Sequence, residues 1–185
     1  MAALPQFERE ALPHMDAAYN LAYWLLRNHA DAEDVVQDAL LRAFRAADKR
    51  QGADIKPWLL TIVRNVAYRW LAVRQRRSNV ISLDAALPGR DRDGDPMEVA
   101  SDEPSAEDRL VGEAEQTLVR RALSELPPAF REVIVLRELE ELRYQHIAQV
   151  TGVPIGTVMS RLARARDQLR EQLAKLMAKE SKNAL

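Results

Sequence analysis

Arg143-Tyr144-Gln145-His146-Ile147-Ala148-Gln149-Val150-Thr151, then Gly152-Val153-Pro154, then Ile155-Gly156-Thr157-Val158-Met159-Ser160-Arg161-Leu162-Ala163-Arg164-Ala165-Arg166, is the stretch that decides the fold. A short helical run meets a glycine, and a second helix restarts after Pro154. Gly152 is free to take the left-handed backbone conformation that ends a helix, and Pro154 has its φ already set for a first helical turn. Helix, tight turn and helix is the helix-turn-helix layout.

The second helix divides into two faces. Ile155, Val158, Leu162, Ala165 and Leu169 recur at helical spacing and form the expected packing stripe. Thr157, Ser160, Arg161 and Arg164 fall on another side, at i, i+3, i+4 and i+7. Their hydroxyls and guanidiniums suit phosphate oxygens and guanine edges, and the second helix of such a motif enters the DNA major groove. An ordinary solvated surface helix is the competing reading of these four residues. The glycine turn and the preceding short helix weigh against it.

Working outward, 185 residues are enough for two small helical domains or one larger one. Hydrophobic residues make up 47%, and strand-like alternation is scarce, which points to an all-α chain. The absence of cysteine excludes disulfides, thiolate zinc sites and cysteine-based redox sensing. No apolar run approaches the roughly 20 residues of a membrane span, so no direct membrane insertion is expected. The N-terminal segment, with Glu8 and Glu10, does not read as a signal peptide, and a cytoplasmic location is expected.

Net charge is -1, but the distribution is polarised. Residues 56–77 carry Lys56, Arg64, Arg69, Arg74, Arg76 and Arg77 with no acid. Residues 78–109 carry nine acids against Arg90, Arg92 and Arg109. Cations near a helix C-terminus would account for Arg74, Arg76 and Arg77 through the helix dipole. That does not explain an acid-free helix along its whole length, which favours a nucleic-acid face.

Taken in order, a first helix is expected over 14–29, burying Ala18, Leu21, Ala22 and Leu25, with Tyr19, Tyr23 and Trp24 widening that face. Asp31 is the expected cap of the next helix, which runs to about Ala47 and buries Val36, Ala39, Leu40 and Ala43. Its other face shows Asp34, Gln37, Asp38, Arg42 and Arg45. A polar loop covers Asp48 to Ile55, and a long helix follows from near Pro57 to Arg77 on a stripe of Leu59, Ile62, Val63, Val66 and Trp70. Residues 78–107 mix Pro88, Gly89, Gly94, Pro96 and Pro104 with Asp, Glu and Ser, the composition of a flexible linker. The expected division is therefore 1–77, linker 78–107, and 108–185. The last part opens with a helix over 108–125 on Val111, Ala114, Leu118 and Ala122. Leu126-Pro127-Pro128 starts the next, and Phe130, Val133, Ile134 and Leu136 pack under the helix-turn-helix. The tail from Ala178 is expected to fray.

Two separate blocks resemble one family, the extracytoplasmic-function (ECF) sigma factors of bacterial RNA polymerase. The C-terminal block Gly156 to Arg166, preceded by Leu126-Pro127 and Leu136-Arg137-Glu138, resembles the domain that reads the upstream (-35) promoter element. The N-terminal block Asp31-Ala32-Glu33-Asp34-Val35-Val36-Gln37-Asp38-Ala39, followed by Trp58-Leu59 and Arg64-Asn65, resembles the domain that binds the polymerase and opens the downstream (-10) element. The resemblance implies that Asp34, Gln37 and Asp38 meet the core RNA polymerase. It implies that the loop from Lys49 to Ile55, which includes Arg50, and the start of the next helix capture an unstacked base of the non-template strand, with Trp58, Arg64 and Asn65 at the matching positions; a core aromatic is the competing reading of Trp58. It implies that Thr157, Ser160, Arg161 and Arg164 read promoter DNA. An anti-sigma protein covering both domains is the implied regulator, and no cofactor or small-molecule substrate is implied.

The chain departs from the family at the start of the helix-turn-helix, where members usually carry Ser-Tyr-Glu-Glu, a capping box. Arg143 and His146 stand at the ends of that box, so neither half forms, a loss of roughly 1 kcal/mol. Two other readings compete. A stand-alone helix-turn-helix regulator would be a dimer on a palindrome and would leave the basic helix unexplained. An enzyme finds little support. His14, His29 and His146 are scattered and no phosphate loop or nucleophile elbow appears; the carboxylates Asp31, Glu33, Asp34 and Asp38 read as surface charge near a helix start.

Overall fold

The computed structural model describes residues 3–50, 54–81 and 106–183. Every element among them is helical. α1 (Ala3–Ala11) leads through a 3-10 turn (Leu12–His14) into α2 (Met15–Leu26). α3 (His29–Ala46), a second 3-10 turn (Ala47–Lys49) and α4 (Ile55–Ile81) complete the N-terminal part. The C-terminal part holds α5 (Ala106–Ser124), α6 (Pro128–Ile134), a π-turn (Val135–Leu139), α7 (Tyr144–Thr151) and α8 (Ile155–Asn183). The expected linker lies outside the described residues except at its two ends, which continue α4 to Ile81 and begin α5 at Ala106. Val111 and Ala114 of the expected α5 stripe have side chains outside the described set.

α2, α3 and α4 pack around Leu21, Val35, Leu60 and Val63, all at most 1% exposed. The apolar periodicity of each helix explains this directly. α1, which sequence periodicity did not reveal, closes one end through Phe7 and Ala11, which cluster with Ala43, Ile55 and Leu59. Phe7 meets Phe44 edge-on at 5.7 Å between ring centroids. The cap of α3 is Asn28 rather than Asp31: Asn28 Oδ1 accepts from the Asp31 backbone N–H at 3.0 Å. Asp31 is the acid of the first turn and bonds Arg74 at 3.0 Å.

Leu126, Val133, Leu136, Ile147, Val158 and Leu162 form the centre of the C-terminal part, as the apolar pattern predicts. Ile155 is a correction: it is 41% exposed, one turn beyond the reach of the packed face. The tail is a second correction, since α8 continues as helix to Asn183. Asp167–Arg170 and Glu171–Lys175 pairs along its surface suit an extended helix.

Candidate nucleic-acid interface

Gly152 ends α7 at φ 69°, and its N–H bonds the Ala148 carbonyl at 2.9 Å. Pro154 then starts the next turn: its carbonyl accepts from Thr157 N at 2.9 Å and Val158 N at 3.1 Å. Arg143 precedes α7 without a side-chain cap, as the missing capping box implies. Val158, Leu162 and Ala165 anchor α8 from below. Ser160 and Arg164 are exposed, while Thr157 and Arg161 are half-buried, so the four predicted readers lie along one accessible flank. Ile155 and Met159, 41% and 53% exposed, sit beside them as apolar groups suited to a thymine methyl.

α4 presents the second surface. Its acid-free sequence carries Lys56, Arg64, Arg69 and Arg74 along the helix, with the Arg64 guanidinium 4.5 Å over the Tyr68 ring and that of Arg74 5.3 Å over Trp70. Asn65 is exposed one residue from Arg64. Where the 3-10 turn meets α4, a cleft of about 210 Å³ is lined by Gln6, Phe7, Glu10, Arg50, Ile55 and Trp58, among others. Arg50 Nη2 bonds Glu10 at 2.7 Å, and its buried Nη1 has no hydrogen-bond partner among the described residues. A buried donor left unmatched beside a half-buried indole is chemistry that suits a planar ring with acceptor edges. Lys49 adjoins this cleft in sequence, but its side chain lies outside the described set.

The two parts of the chain are packed together through one continuous core cluster. Arg131, 6% exposed, is held by carbonyls among the described residues: it donates to those of Leu123, Ser124 and Leu126, and across to Trp24 at 2.9 Å. Burial lowers its pKa to about 10, so it stays charged at neutral pH. Arg64 Nε donates to Glu132 Oε1 at 2.5 Å, and the Tyr68 hydroxyl donates to Glu132 Oε2 at 3.4 Å. Burial raises the Glu132 pKa, against the opposing pull of Arg64, Tyr68 and the more distant Arg161. Glu140 accepts from Asn20 at 3.0 Å and pairs with Lys56 at 3.2 Å. His146 Nε2 stands 3.7 Å from Asp54. The cations of α4 are therefore not all open to solvent: Lys56 and Arg64 face carboxylates from the C-terminal part.

Comparison with known proteins assigns both surfaces to one lineage. Residues 12–77 match the family model for sigma-70 region 2, and residues 116–169 that for sigma-70 region 4. The chain is 37% identical over 183 residues to the ECF RNA polymerase sigma factor SigE of Mycolicibacterium smegmatis, covering 99% of this chain and 67% of the relative. It belongs to the ECF RNA polymerase sigma factors. The ECF RNA polymerase sigma-E factor of Escherichia coli is 33% identical over 148 residues, covering 80% of this chain and 76% of that one. Among solved structures, the sigma factor RpoE in complex with the anti-sigma factor NepR from Bartonella quintana aligns with TM-score 0.67 at 30% identity, covering 91% and 97% of the two chains. CnrH, in complex with the cytosolic domain of CnrY, shares the fold at TM-score 0.62 and 21% identity, covering 93% and 90%.

This sigma factor is thus an all-α chain with a region 2 part and a region 4 part, and its function is transcription initiation with RNA polymerase. On α3 of region 2, Asp34 and Gln37 are exposed, and Asp38 is tied to Arg42 by two bonds of 2.9 Å. Leu41 and Phe44, 57% and 39% exposed, extend that sigma-factor surface with apolar groups that the sequence reading left out. The contribution of Glu10 to the cleft was also missed, because an isolated Glu on a short N-terminal helix carries no signal of its own. Among the described residues no group of carboxylates or histidines forms a metal site. No helix among them is long and apolar enough to cross a membrane.

Proposed function

We propose that three surfaces divide the work of this sigma factor. The flank Thr157, Ser160, Arg161 and Arg164 of α8 reads the upstream (-35) element in the major groove. The cleft at Trp58 and Arg50, with Lys49, Arg64 and Asn65, holds the opened non-template strand of the -10 element. The face Asp34, Gln37 and Asp38 of α3 docks on core polymerase. The observation that carries this reading is the α8 flank, which leaves the helix-turn-helix at an exposed end with two guanidiniums and two hydroxyls aligned. The cleft of about 210 Å³ that places Trp58 beside an Arg50 Nη1 unmatched among the described residues supports the strand assignment. The division of labour follows boundaries of 1–77, 78–107 and 108–185.

The chain acts through binding and not catalysis, in the cytoplasm where promoter DNA is found. An anti-sigma protein is its regulator, a reading supported by the 30% identical relative whose structure is a complex with such a partner. Since the chain has no cysteine, any redox sensing falls to that partner. The test is reconstitution: the purified chain and core polymerase transcribe from a promoter that core alone ignores. Binding to DNA as a dimer without polymerase would favour the stand-alone regulator instead.

A further inference from the structure

The cation face of α4 already has an occupant. Lys56 Nζ lies 3.2 Å from Glu140 Oε2 and donates to the Glu140 carbonyl at 2.8 Å. Arg64 pairs with Glu132 at 2.5 Å. Lys56 and Arg64 are eight residues apart, as are Glu132 and Glu140. Eight residues of helix span about 12 Å, so the α6 and π-turn segment lays two carboxylates along α4 over a matching length. Glu132 is 1% and Glu140 7% exposed, so this is a formed contact and not a loose surface pair. Among the described residues the side-chain partners of Glu140 both belong to region 2: Asn20 and Lys56. The π-turn is what swings it there, since Glu140 N bonds the Val135 carbonyl five residues back at 3.0 Å.

We propose that Glu132 and Glu140 of the C-terminal part occupy the α4 cations in place of nucleic-acid phosphates, so that the free chain is closed against single-stranded DNA and a strand and the C-terminal part compete for Lys56 and Arg64. This rests on the reading of α4 as the strand-holding face. The chemistry suits exchange. A buried ion pair returns little net energy over its desolvation cost, so the two pairs fix the register of the contact and add little to what the shared apolar core supplies. A polyanion offers the same cations several phosphates and releases counterions as it binds. The closed arrangement also covers the neighbourhood of Tyr68, since its hydroxyl is bonded to Glu132.

The test uses the full chain, free of polymerase, and a short fluorescein-labelled single-stranded DNA of mixed sequence read by anisotropy. The absence of cysteine allows a clean lock. Arg27 Nη1 lies 3.3 Å from the Ser124 carbonyl in an exposed contact between the two parts, and neither residue bonds Glu132 or Glu140 among the described contacts. In Arg27→Cys/Ser124→Cys, a short bismaleimide with a reducible spacer holds the parts closed. The locked chain is expected to bind the DNA at least about tenfold more weakly than the same protein after reduction, the factor if the lock cuts the competent fraction to about a tenth or less of its unlocked value. Glu140→Lys, which sets like charges against each other, is expected to bind more tightly than the parent. Equal binding by locked and reduced chains overturns the proposal even if Glu140→Lys fails to fold. Adding Arg64→Ala to the open variant separates the two ideas. Loss of binding there alongside an inert lock leaves α4 as the strand face and removes the competition. Binding that ignores Arg64 in every form removes both.

Discussion

Arg64 and Glu132 meet at 2.5 Å although 68 residues separate them. The pair is lopsided: the Arg64 side chain is 21% exposed and that of Glu132 fully buried. Removing either partner therefore has different consequences. Arg64→Ala strands a buried carboxylate and is expected to cost about 3–5 kcal/mol of the closed chain's stability. Glu132→Gln leaves a guanidinium that water reaches and is expected to change stability by less than about 1 kcal/mol. Urea unfolding at pH 7 checks the order, and a larger loss in Glu132→Gln contradicts it.

The same carboxyl sets a pH dependence. Burial raises its folded pKa above the ordinary 4.5. The folded chain thus favours the protonated acid, so this group's contribution to stability is full below 4.5 and is lost as pH rises through the raised value. In Glu132→Gln that component disappears, and the difference in unfolding free energy between parent and variant is expected to vary as pH rises from 4.5 through the raised value, then to level off. A difference that stays flat across that range counts against the assignment.

Gly152 sits at φ 69° with nothing within 4 Å of where a Cβ would stand. The cost of a side chain there is backbone strain alone. Gly152→Ala is expected to lower stability by about 1 kcal/mol, and Gly152→Asn by less, because Asn tolerates the left-handed region. Thermal unfolding of the two variants gives the comparison. Equal losses would mean that something other than φ is at work.

Charge reversal at Asp34 and Asp38 is expected to weaken core-polymerase binding and leave the helix content of the free chain unchanged. Among the described residues only the exposed Asp38–Arg42 pair is lost within the chain, and a solvent-screened surface pair contributes little. A titration of labelled core reports the affinity, and an unchanged value removes α3 from the polymerase contact.

How much of this was legible in the sequence depended on range. Local signals read well. The αL glycine, the Pro154 restart, the stripes of α3 and α4 and the missing cap at Arg143 all follow from neighbours within a few residues. Misjudgements came where a distant partner decided. Ile155 continues the apolar spacing of α8, yet no element among the described residues covers it and it is left 41% exposed. Asn28 outranks Asp31 as a cap because Arg27 turns the chain at φ 55°, a left-handed conformation that non-glycine residues rarely signal. The basic face of α4 was readable, whereas its cover was not. Glu132 and Glu140 look like surface acids until the two parts are placed together, and Arg131 gives no hint in sequence that it serves four carbonyls.

Arg161 and Arg164 stand one turn apart on the accessible flank of α8, and a bidentate guanidinium on guanine is worth roughly 1–3 kcal/mol of discrimination. The most direct measurement is run-off transcription by reconstituted holoenzyme on a set of upstream-element variants. Arg161→Ala and Arg164→Ala are expected to lower transcription from promoters bearing the element, at least one of them is expected to relax base preference within it, and both are expected to bind core polymerase as the parent does. If both variants transcribe every template like the parent, α8 is not the promoter reader.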